Sequence, residues 1–373
     1  MAPWVTPQIG ARGRTRTEGS IGGGMQTYVV SHQDWNLFLG RVMEDWAVVG
    51  PRQRPDQPGF YYFDHVKDPQ DLALDYTTTT IPPKNAFFPP TETLFRFTES
   101  NPPGIDLVRN TTPFLLVGVH PCDLAAIDAL DAAYSYPPAD MRWAEQRKRA
   151  TIIGIDCLPD EYCFCASIGT SESRKTCDLF LTLIDDAYFI EVHTAAGEKM
   201  LKTVPKVPTQ ARHVEEVERW RSEKVARTTA SLDSPIPEFA DILDRGGLTP
   251  VWQEVASRCY SCGSCNTTCP TCFCFSMDDE FDLTFAAGVR RRSWDSCQLL
   301  EFALVAGGHN FRGERWQRVR HRWHRKFLYL YRRLGRPYCT GCGRCSRACS
   351  ADINIVDVSN QLISYSQNGG HNA

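Results

Sequence analysis

The sequence has no long hydrophobic run and little net charge. No uninterrupted apolar stretch approaches the roughly 18 residues that a transmembrane helix needs, and the mean hydropathy is −0.34. We therefore expect no membrane-spanning helix and no membrane partner. The net charge of the 373 residues is −3, so the chain as a whole has no electrostatic preference for nucleic acid.

Nucleotide motifs and a secretion signal are also missing. Neither the Rossmann fingerprint nor the phosphate-binding loop occurs, so a nucleotide site of either kind is unsupported. Residues 1–24 are rich in Arg, Gly, Thr and Pro and contain no apolar segment of the kind that a secretory signal needs. We predict a disordered tail over 1–27, with Met25 as an alternative start, and a cytoplasmic location in which cysteines stay reduced.

Cysteine itself is abundant, with 16 residues in the chain. In a reducing compartment this number indicates metal ligation rather than disulfides. Eight cysteines form two runs with the spacing Cys-x2-Cys-x2-Cys-x3-Cys: Cys259, Cys262, Cys265 and Cys269, then Cys339, Cys342, Cys345 and Cys349.

This spacing predicts two 4Fe–4S clusters. Three thiolates in one tight loop can bind three corners of an iron–sulfur cube, and in two-cluster ferredoxins the fourth cysteine ligates the other cluster. Structural zinc is the alternative, but zinc motifs usually present their ligands as two separated pairs. The spacing leaves open whether Cys269 and Cys349 bind the cluster of their own run or that of the other run.

A third set of thiols is more dispersed. Cys122 and Cys157 each follow a predicted strand, and Cys163 and Cys165 come shortly afterwards. If the two strands are parallel neighbours, both thiols lie at the carboxyl edge of the sheet, where such sheets bind ligands. The four residues are candidates for a third iron–sulfur cluster, although a free cysteine is also a common small core residue. The cysteines that flank the first run are predicted to pack beside its cluster rather than bind it: Cys272, Cys274 and Cys297.

The hydrophobic pattern predicts an α/β N-terminal domain plus a mainly α-helical, ferredoxin-like dicluster C-terminal domain. Strands alternate with helices over residues 28–205. Residues 50–112 are proline-rich, and Pro82–Pro83 and Pro89–Pro90 within them are predicted to mark loops. The predicted elements of this domain are a helix at 33–49, strands at 60–63, 114–119 and 151–155, a helix at 123–133, and a hairpin of strands at 179–184 and 188–192.

The second half of the chain is predicted to be helical. A charged helix is expected at 209–227, and two more are expected between the cysteine runs, at 298–305 and 316–334. The last one is strongly basic, with its arginines predicted to lie outside the core. They admit three interpretations: a solvated or cluster-neutralising face, a docking surface for an acidic partner, or contact with nucleic acid. The predicted segments are a helical linker at 206–247, the dicluster domain at 248–358 and a tail at 359–373.

The residues around the cysteine runs resemble one family closely. This is the 4Fe–4S dicluster subunit family, which contains the beta subunit of cytosolic NAD(P)-linked nickel–iron hydrogenases (sulfhydrogenases) and the iron–sulfur subunit of anaerobic sulfite reductase. His120 and Ser350 depart from the family, in which Arg and Pro are more usual. The similar segments are Cys259-Tyr-Ser-Cys-Gly-Ser-Cys-Asn-Thr-Thr-Cys-Pro-Thr-Cys-Phe-Cys-Phe, Trp294-Asp-Ser-Cys297, Val305-Ala-Gly-Gly-His-Asn-Phe-Arg312, Cys339-Thr-Gly-Cys-Gly-Arg-Cys345, Gly118-Val-His-Pro-Cys-Asp123 and Cys163-Phe-Cys165.

The resemblance implies a role in electron transfer. In such complexes this subunit lies between a flavin subunit that handles NAD(P)H and the catalytic subunits, and the eight cysteines of the two runs hold the relaying clusters. We therefore expect an iron–sulfur electron-transfer subunit of a soluble nickel–iron hydrogenase, without catalytic residues of its own. The same relay in an anaerobic sulfite reductase complex is an alternative. A zinc-stabilised nucleic-acid-binding protein is an alternative of another class.

Overall fold

The computed structural model describes residues 25–100, 102–246 and 249–369. Most of the tail predicted at 1–27 therefore lies outside the described residues, and at Thr27 the chain is already in a β-strand. Among the described helices, none combines the length and the apolar composition that crossing a membrane requires.

Strands and helices alternate in the first half of the described chain, and the second half contains helices and one β-hairpin. The strands are β1 (Thr27–Ser31), β2 (Ala47–Arg54), β3 (Gln57–Val66), β4 (Thr91–Thr98), β5 (Gly104–Leu107), β6 (Phe114–Val119), β7 (Ala150–Ile155), β8 (Leu179–Ile184), β9 (Ala187–Val192), β10 (Val207–Pro208), β11 (Phe275–Phe281) and β12 (Ala287–Trp294). The α-helices are α1 (His32–Asp45), α2 (Pro121–Tyr134), α3 (Met141–Arg149), α4 (Cys165–Ile168), α5 (Ala195–Met200), α6 (Ala211–Arg227), α7 (Ile236–Arg245), α8 (Pro250–Arg258), α9 (Ser264–Thr267), α10 (Arg315–Trp323), α11 (Leu330–Leu334), α12 (Arg344–Arg347) and α13 (Ile355–Gln367). Short 3₁₀ turns cover Pro69–Asp71, Pro83–Ala86, Leu201–Thr203 and Glu301–Ala303, and a π-helical segment covers His324–Tyr329.

A large mixed sheet with a parallel centre forms the first half. Its strand order is β10-β1-β9-β8-β7-β6-β2-β3, and β2, β6, β7 and β8 pair in parallel. All six residues of β6 are buried, as expected for a parallel strand that is covered on both faces. The prediction of an α/β domain is confirmed. Since β6 and β7 are parallel neighbours, the residues that follow them meet at one edge of the sheet.

One prediction about the start of this domain is wrong. The first helix ends at Asp45, and residues 46–49, which were assigned to it, lead into strand β2. Pairing of β2 with both β6 and β3 determines its conformation, whatever the helical spacing of its apolar residues suggests. The strand predicted at 60–63 is confirmed as part of β3. Strands β4 and β5 also lie in the proline-rich stretch 50–112, where they pair with each other.

A second sheet joins the two halves of the chain. β4 and β5 form an antiparallel sheet with the hairpin of β11 and β12, in the order β11-β12-β4-β5. The guanidinium of Arg292 on β12 is buried and donates to Glu92 on β4, with an Nε–Oε1 distance of 2.8 Å. The prediction of a mainly α-helical second half therefore left out a β-hairpin. Its partner strand, β4, is distant in sequence.

Helices form the remainder of the second half. α7, α8, α10 and α13 pack around a common core that includes Phe239, Trp252 and Phe327. The helix predicted at 316–334 is confirmed as α10, the π-helical segment and α11. The helix predicted at 298–305 is wrong, since only a 3₁₀ turn forms there and Val305 is exposed. Residues 359–367, predicted as part of a tail, belong to α13 and bury Leu362.

Candidate iron–sulfur sites

The two cysteine runs fold in the same way. Each run turns at a glycine in the left-handed conformation, Gly263 with φ 80° and Gly343 with φ 69°, and each of these glycines begins a one-turn helix, α9 or α12. Glycine adopts this conformation without the steric cost that a side chain imposes. The matching turns therefore give the two loops the same local shape.

The fourth cysteine of each run lies with the other run. Cys269 accepts a hydrogen bond from Lys326, with an Nζ–Sγ distance of 3.1 Å, and the same ammonium interacts electrostatically with Cys339. Cys269 also interacts electrostatically with Cys342. This placement is the one that crossed ligation, as in two-cluster ferredoxins, requires. A cavity beside the first run is lined by cysteines of both runs, including the fourth cysteine of the second run: Cys259, Cys262, Cys265, Cys345 and Cys349.

The basic helix between the runs directs three cations inward. Arg318, Arg322 and Lys326 follow each other at intervals of four residues, so they share one face, and all three are buried. The prediction that the arginines of this helix lie outside is therefore wrong for Arg318 and Arg322. Lys326 lies in the π-helical segment, an irregularity that often marks functional sites.

Arg322 is the strongest indication that the cavity of the first run suits an anionic group. It is 5% exposed and lines the cavity of the first run. Within the described residues it forms no ion pair with a carboxylate, and its Nε has no hydrogen-bond partner. An uncompensated buried charge costs several kcal/mol, whereas a 4Fe–4S core with four thiolates carries about −2 when oxidised. The residues present therefore fit a cluster.

The state of the thiols is consistent with the same interpretation. Burial raises the pKa of Cys265 and of Cys342 to about 12, so both would stay protonated at neutral pH without a metal. Iron binds the thiolate and displaces the proton. No group of three or more His, Cys, Asp or Glu side chains in the described residues could hold a single metal ion, and a cubane cluster instead takes one thiolate per iron.

The third set of thiols meets at the edge of the large sheet. Lys224 lies beside them, 3.0 Å from the Asp156 carboxylate, and burial raises the pKa of Cys157 to about 12. Cys342 of the second run lines the same small cavity, so the second and third sites adjoin. The candidate ligands that this cavity brings together are Cys122, Cys157, Cys163 and Cys165.

The loop of the second run packs directly on the loop of the third site. The Phe164 amide donates to the Gly341 carbonyl at 2.8 Å, and the Thr170 hydroxyl donates to the Thr340 carbonyl at 2.7 Å. His120, which departs from the family pattern, is buried in the same region and stacks on Tyr76. Burial is the main cause that lowers the pKa of His120, so its imidazole is neutral.

The cysteines that flank the first run lie against the cluster loops. Cys297 accepts a hydrogen bond from the Asn266 amide at 3.0 Å, and the hydrogen bond with Cys274 lowers its pKa. Cys272 forms a similar hydrogen bond with Cys269. Cys272 thus lies beside Cys269, and Cys297, which also interacts with Cys265, pairs with Cys274; the packing role of all three thiols stays a prediction.

Sequence reasoning missed the buried cations. Charged residues are almost never buried unless they are paired, so Arg322 was predicted to lie outside, and nothing in the sequence singled out Lys326 or Lys224 as buried. One signal in the sequence could have identified some of them. The four-residue spacing of Arg318, Arg322 and Lys326 places these three cations on one face of the helix.

Comparisons with known proteins match an iron–sulfur domain to the segment that contains the two cysteine runs. Residues 258–353 match the family described as a 4Fe-4S dicluster domain. The chain is also similar to Sulfhydrogenase 2 subunit beta of Pyrococcus furiosus, with 35% identity over 337 residues. The alignment covers 90% of this chain and 98% of that protein.

Proposed function

Since the chain belongs to the 4Fe–4S dicluster subunit family that includes the sulfhydrogenase beta subunits, we propose that it is an iron–sulfur electron-transfer subunit of a nickel–iron hydrogenase complex. Its partners are a flavin subunit that oxidises or reduces NAD(P)H and the catalytic hydrogenase subunits, in the cytoplasm. When bound, the clusters supply one-electron transfer between the two-electron chemistries of these partners.

The ligands in this proposal follow the crossed arrangement. Cys259, Cys262, Cys265 and Cys349 hold the first 4Fe–4S cluster. The second cluster is held by Cys339, Cys342, Cys345 and Cys269. A third cluster is held by Cys122, Cys157, Cys163 and Cys165.

One observation carries the proposal: the three thiol sites form a continuous series. Arg322 interacts electrostatically with Cys265 of the first run and with Cys345 of the second, and Cys342 lines the cavity of the third site. The exposed thiol of Cys262 brings the first site to the surface of this chain, where a partner's redox group can approach. Such a series suits a protein that passes electrons through its interior.

Metal analysis of the anaerobically purified native complex tests the partner assignment. We expect nickel together with iron from three clusters. Siroheme in place of nickel would contradict the hydrogenase assignment and favour the sulfite reductase alternative. A colourless chain that contains zinc would overturn the relay in both forms.

A substitution tests the relay itself. In Cys262→Ala the first cluster loses a ligand, so we expect loss of its paramagnetic signal and of electron flow between NAD(P)H and hydrogen. The control is Cys177→Ala, since Cys177 is a buried core residue outside the three thiol sites. Electron flow that survives in Cys262→Ala would show that the first cluster is not part of the relay.

A further inference from the structure

A cavity of about 580 Å³ lies next to the third thiol site, and the proposed relay does not use it. Cys157, which follows β7, lines both this cavity and the smaller one that holds the four thiols. The cavity thus occupies the carboxyl edge of the parallel strands, where open α/β sheets bind ligands. Its volume lies within the range of small-molecule sites.

Aromatic side chains form much of its wall. His32 and Tyr188 pack together with their ring centroids 4.6 Å apart, and Trp220 from α6 lines the cavity as well. Tyr76 also lines it and stacks on His120, with ring centroids 3.9 Å apart and an interplanar angle of 8°. Because His120 lines the cavity of the third site, this stacked pair of rings borders both cavities. Such walls suit a planar aromatic ligand.

The same cavity also has polar groups. Asn36, Gln70 and Asp75 lie on its lining and offer donors and acceptors, and Arg227, which also forms an exposed ion pair with Glu223, contributes a positive charge.

We propose that this cavity binds the isoalloxazine ring of a flavin, with the ring between the aromatic walls and its polar edge toward Asn36, Gln70 and Asp75. The choice among redox ligands follows from the neighbouring site. Each cluster transfers one electron, and a flavin can exchange single electrons, whereas a nicotinamide transfers a hydride. The mixed polar lining suits the pyrimidine part of the ring, and Arg227 suits the phosphate of FMN.

The electron balance of this site rests on the proposed relay. The oxidised ring takes up two electrons, one at a time, as the neighbouring third cluster is oxidised twice. Two protons come from solvent through the mouth of the cavity and complete the dihydroflavin. The binding of the ring does not depend on the partners of the complex.

Flavin binding to the intact, anaerobically purified chain tests the proposal. Riboflavin and FMN are titrated separately, and quenching of their fluorescence is measured. We expect saturable quenching by the unchanged chain with one flavin per chain. Leu183→Trp fills the cavity from its partly exposed rim and Trp220→Ala removes one wall, so each should weaken binding of both flavins at least tenfold. Leu37→Ala, at an exposed position of α1 outside this cavity, is the control and should bind as the unchanged chain does.

Comparison of riboflavin with FMN distinguishes binding of the ring from binding of the phosphate. Tighter binding of FMN than of riboflavin, with the difference lost in Arg227→Gln, supports the assigned orientation, and equal binding of the two overturns the role of Arg227. Absence of quenching, or quenching that neither Leu183→Trp nor Trp220→Ala weakens, overturns the site. Iron content equal to that of the unchanged chain verifies that both variants are folded.

The outcome is separable from that of the proposed function. If the flavin does not bind but Cys262→Ala still abolishes electron flow, the relay stands and the cavity has no flavin. If flavin binds and the relay test fails, the site stands without its electron-transfer role.

Discussion

Arg344 donates to both carboxylate oxygens of Asp123, with N–O distances of 2.6 and 2.7 Å. Both side chains are buried. Arg344 directly precedes Cys345 of the second run, and Asp123 directly follows Cys122 of the third site. The ion pair therefore fixes the loops of two candidate cluster sites against each other, although its two residues are 221 positions apart in the chain.

Asp123→Asn should destabilise the folded chain strongly. The substitution leaves the Arg344 guanidinium buried without its counter-charge, and breaking a buried pair in this way costs about 3–5 kcal/mol. Denaturant unfolding of the iron-loaded chain under anaerobic conditions measures the free energy of unfolding.

The control is a surface pair of the same kind. Arg332 and Asp244 lie 2.9 Å apart with both side chains about half exposed, and exposed pairs contribute roughly 0–1 kcal/mol. Asp244→Asn should therefore change the free energy of unfolding by less than about 1 kcal/mol. Similar losses in the two variants would mean that the Asp123 pair is no more stabilising than an exposed one.

Arg322→Gln should lower the reduction potential of a neighbouring cluster. Reduction adds negative charge, and a nearby buried cation stabilises that charge. Its removal should shift the potential downward by on the order of 60 mV, which is a tenfold change in a one-electron equilibrium. Redox titration followed by electron paramagnetic resonance measures the shift.

Two further variants separate charge from shape. Arg322→Lys keeps the cation and should move the potential less than Arg322→Gln does. Arg333→Gln removes an exposed cation from α11 of the same long helix and should leave the potentials unchanged. An unchanged potential in Arg322→Gln would contradict the proposal that this cation compensates a cluster.

Gly341→Ala should disrupt the contact between the second and third sites. A Cβ atom at this position would lie 2.5 Å from the backbone nitrogen of Cys165, which cannot move without displacing the loop. We expect a loss of iron from the third site and a lower free energy of unfolding. Iron content per chain and denaturant unfolding measure the two effects.

Gly335→Ala is the matched control. Gly335 has φ 69°, close to the 66° of Gly341, but a Cβ there would meet no atom within 4 Å. The loss of unfolding free energy in Gly335→Ala therefore measures the cost of the left-handed conformation alone, about 1–2 kcal/mol. Equal stability and equal iron content in the two variants would show that the close approach at Cys165 is unimportant.

Two double variants test which cluster Cys349 binds. Under crossed ligation, Cys262→Ala with Cys349→Ser removes two ligands of one cluster and should cost about four irons per chain. Cys262→Ala with Cys269→Ser removes one ligand from each of two clusters and should cost about eight. The reverse pattern in iron analysis would assign each fourth cysteine to the cluster of its own run.

Combined Cys122→Ala and Cys157→Ala tests the third site. The loss of two ligands should lower the iron content by about four per chain, while the paramagnetic signals of the other two clusters persist. The double variant Cys272→Ala and Cys274→Ala is the control, since these thiols are expected to pack beside a cluster without binding it. Unchanged iron content in the first double variant would reduce Cys122 and Cys157 to packing residues.

Local patterns in the sequence predicted the elements whose shape depends on near neighbours. The apolar run 114–119 gave β6 with its observed bounds, because a strand buried on both faces needs apolar residues throughout. The spacing of the cysteine runs gave the two matching loops, since three thiols so close in the chain share one turn. Helical periodicity gave the long basic helix, although it did not show which of its charged residues are buried.

Contacts between distant segments were decided only in the tertiary structure. The position of Cys349 beside the first run, the ion pair of Arg344 with Asp123, and the pairing of β12 with β4 each join segments that no local pattern relates. Arg322 is buried for the same reason, because the loops of both runs close over its side of the helix. Local spacing was enough to identify the residues that could bind iron and sulfide. Their grouping depends on the packing of remote loops, because only packing sets distances between parts of the chain that are far apart.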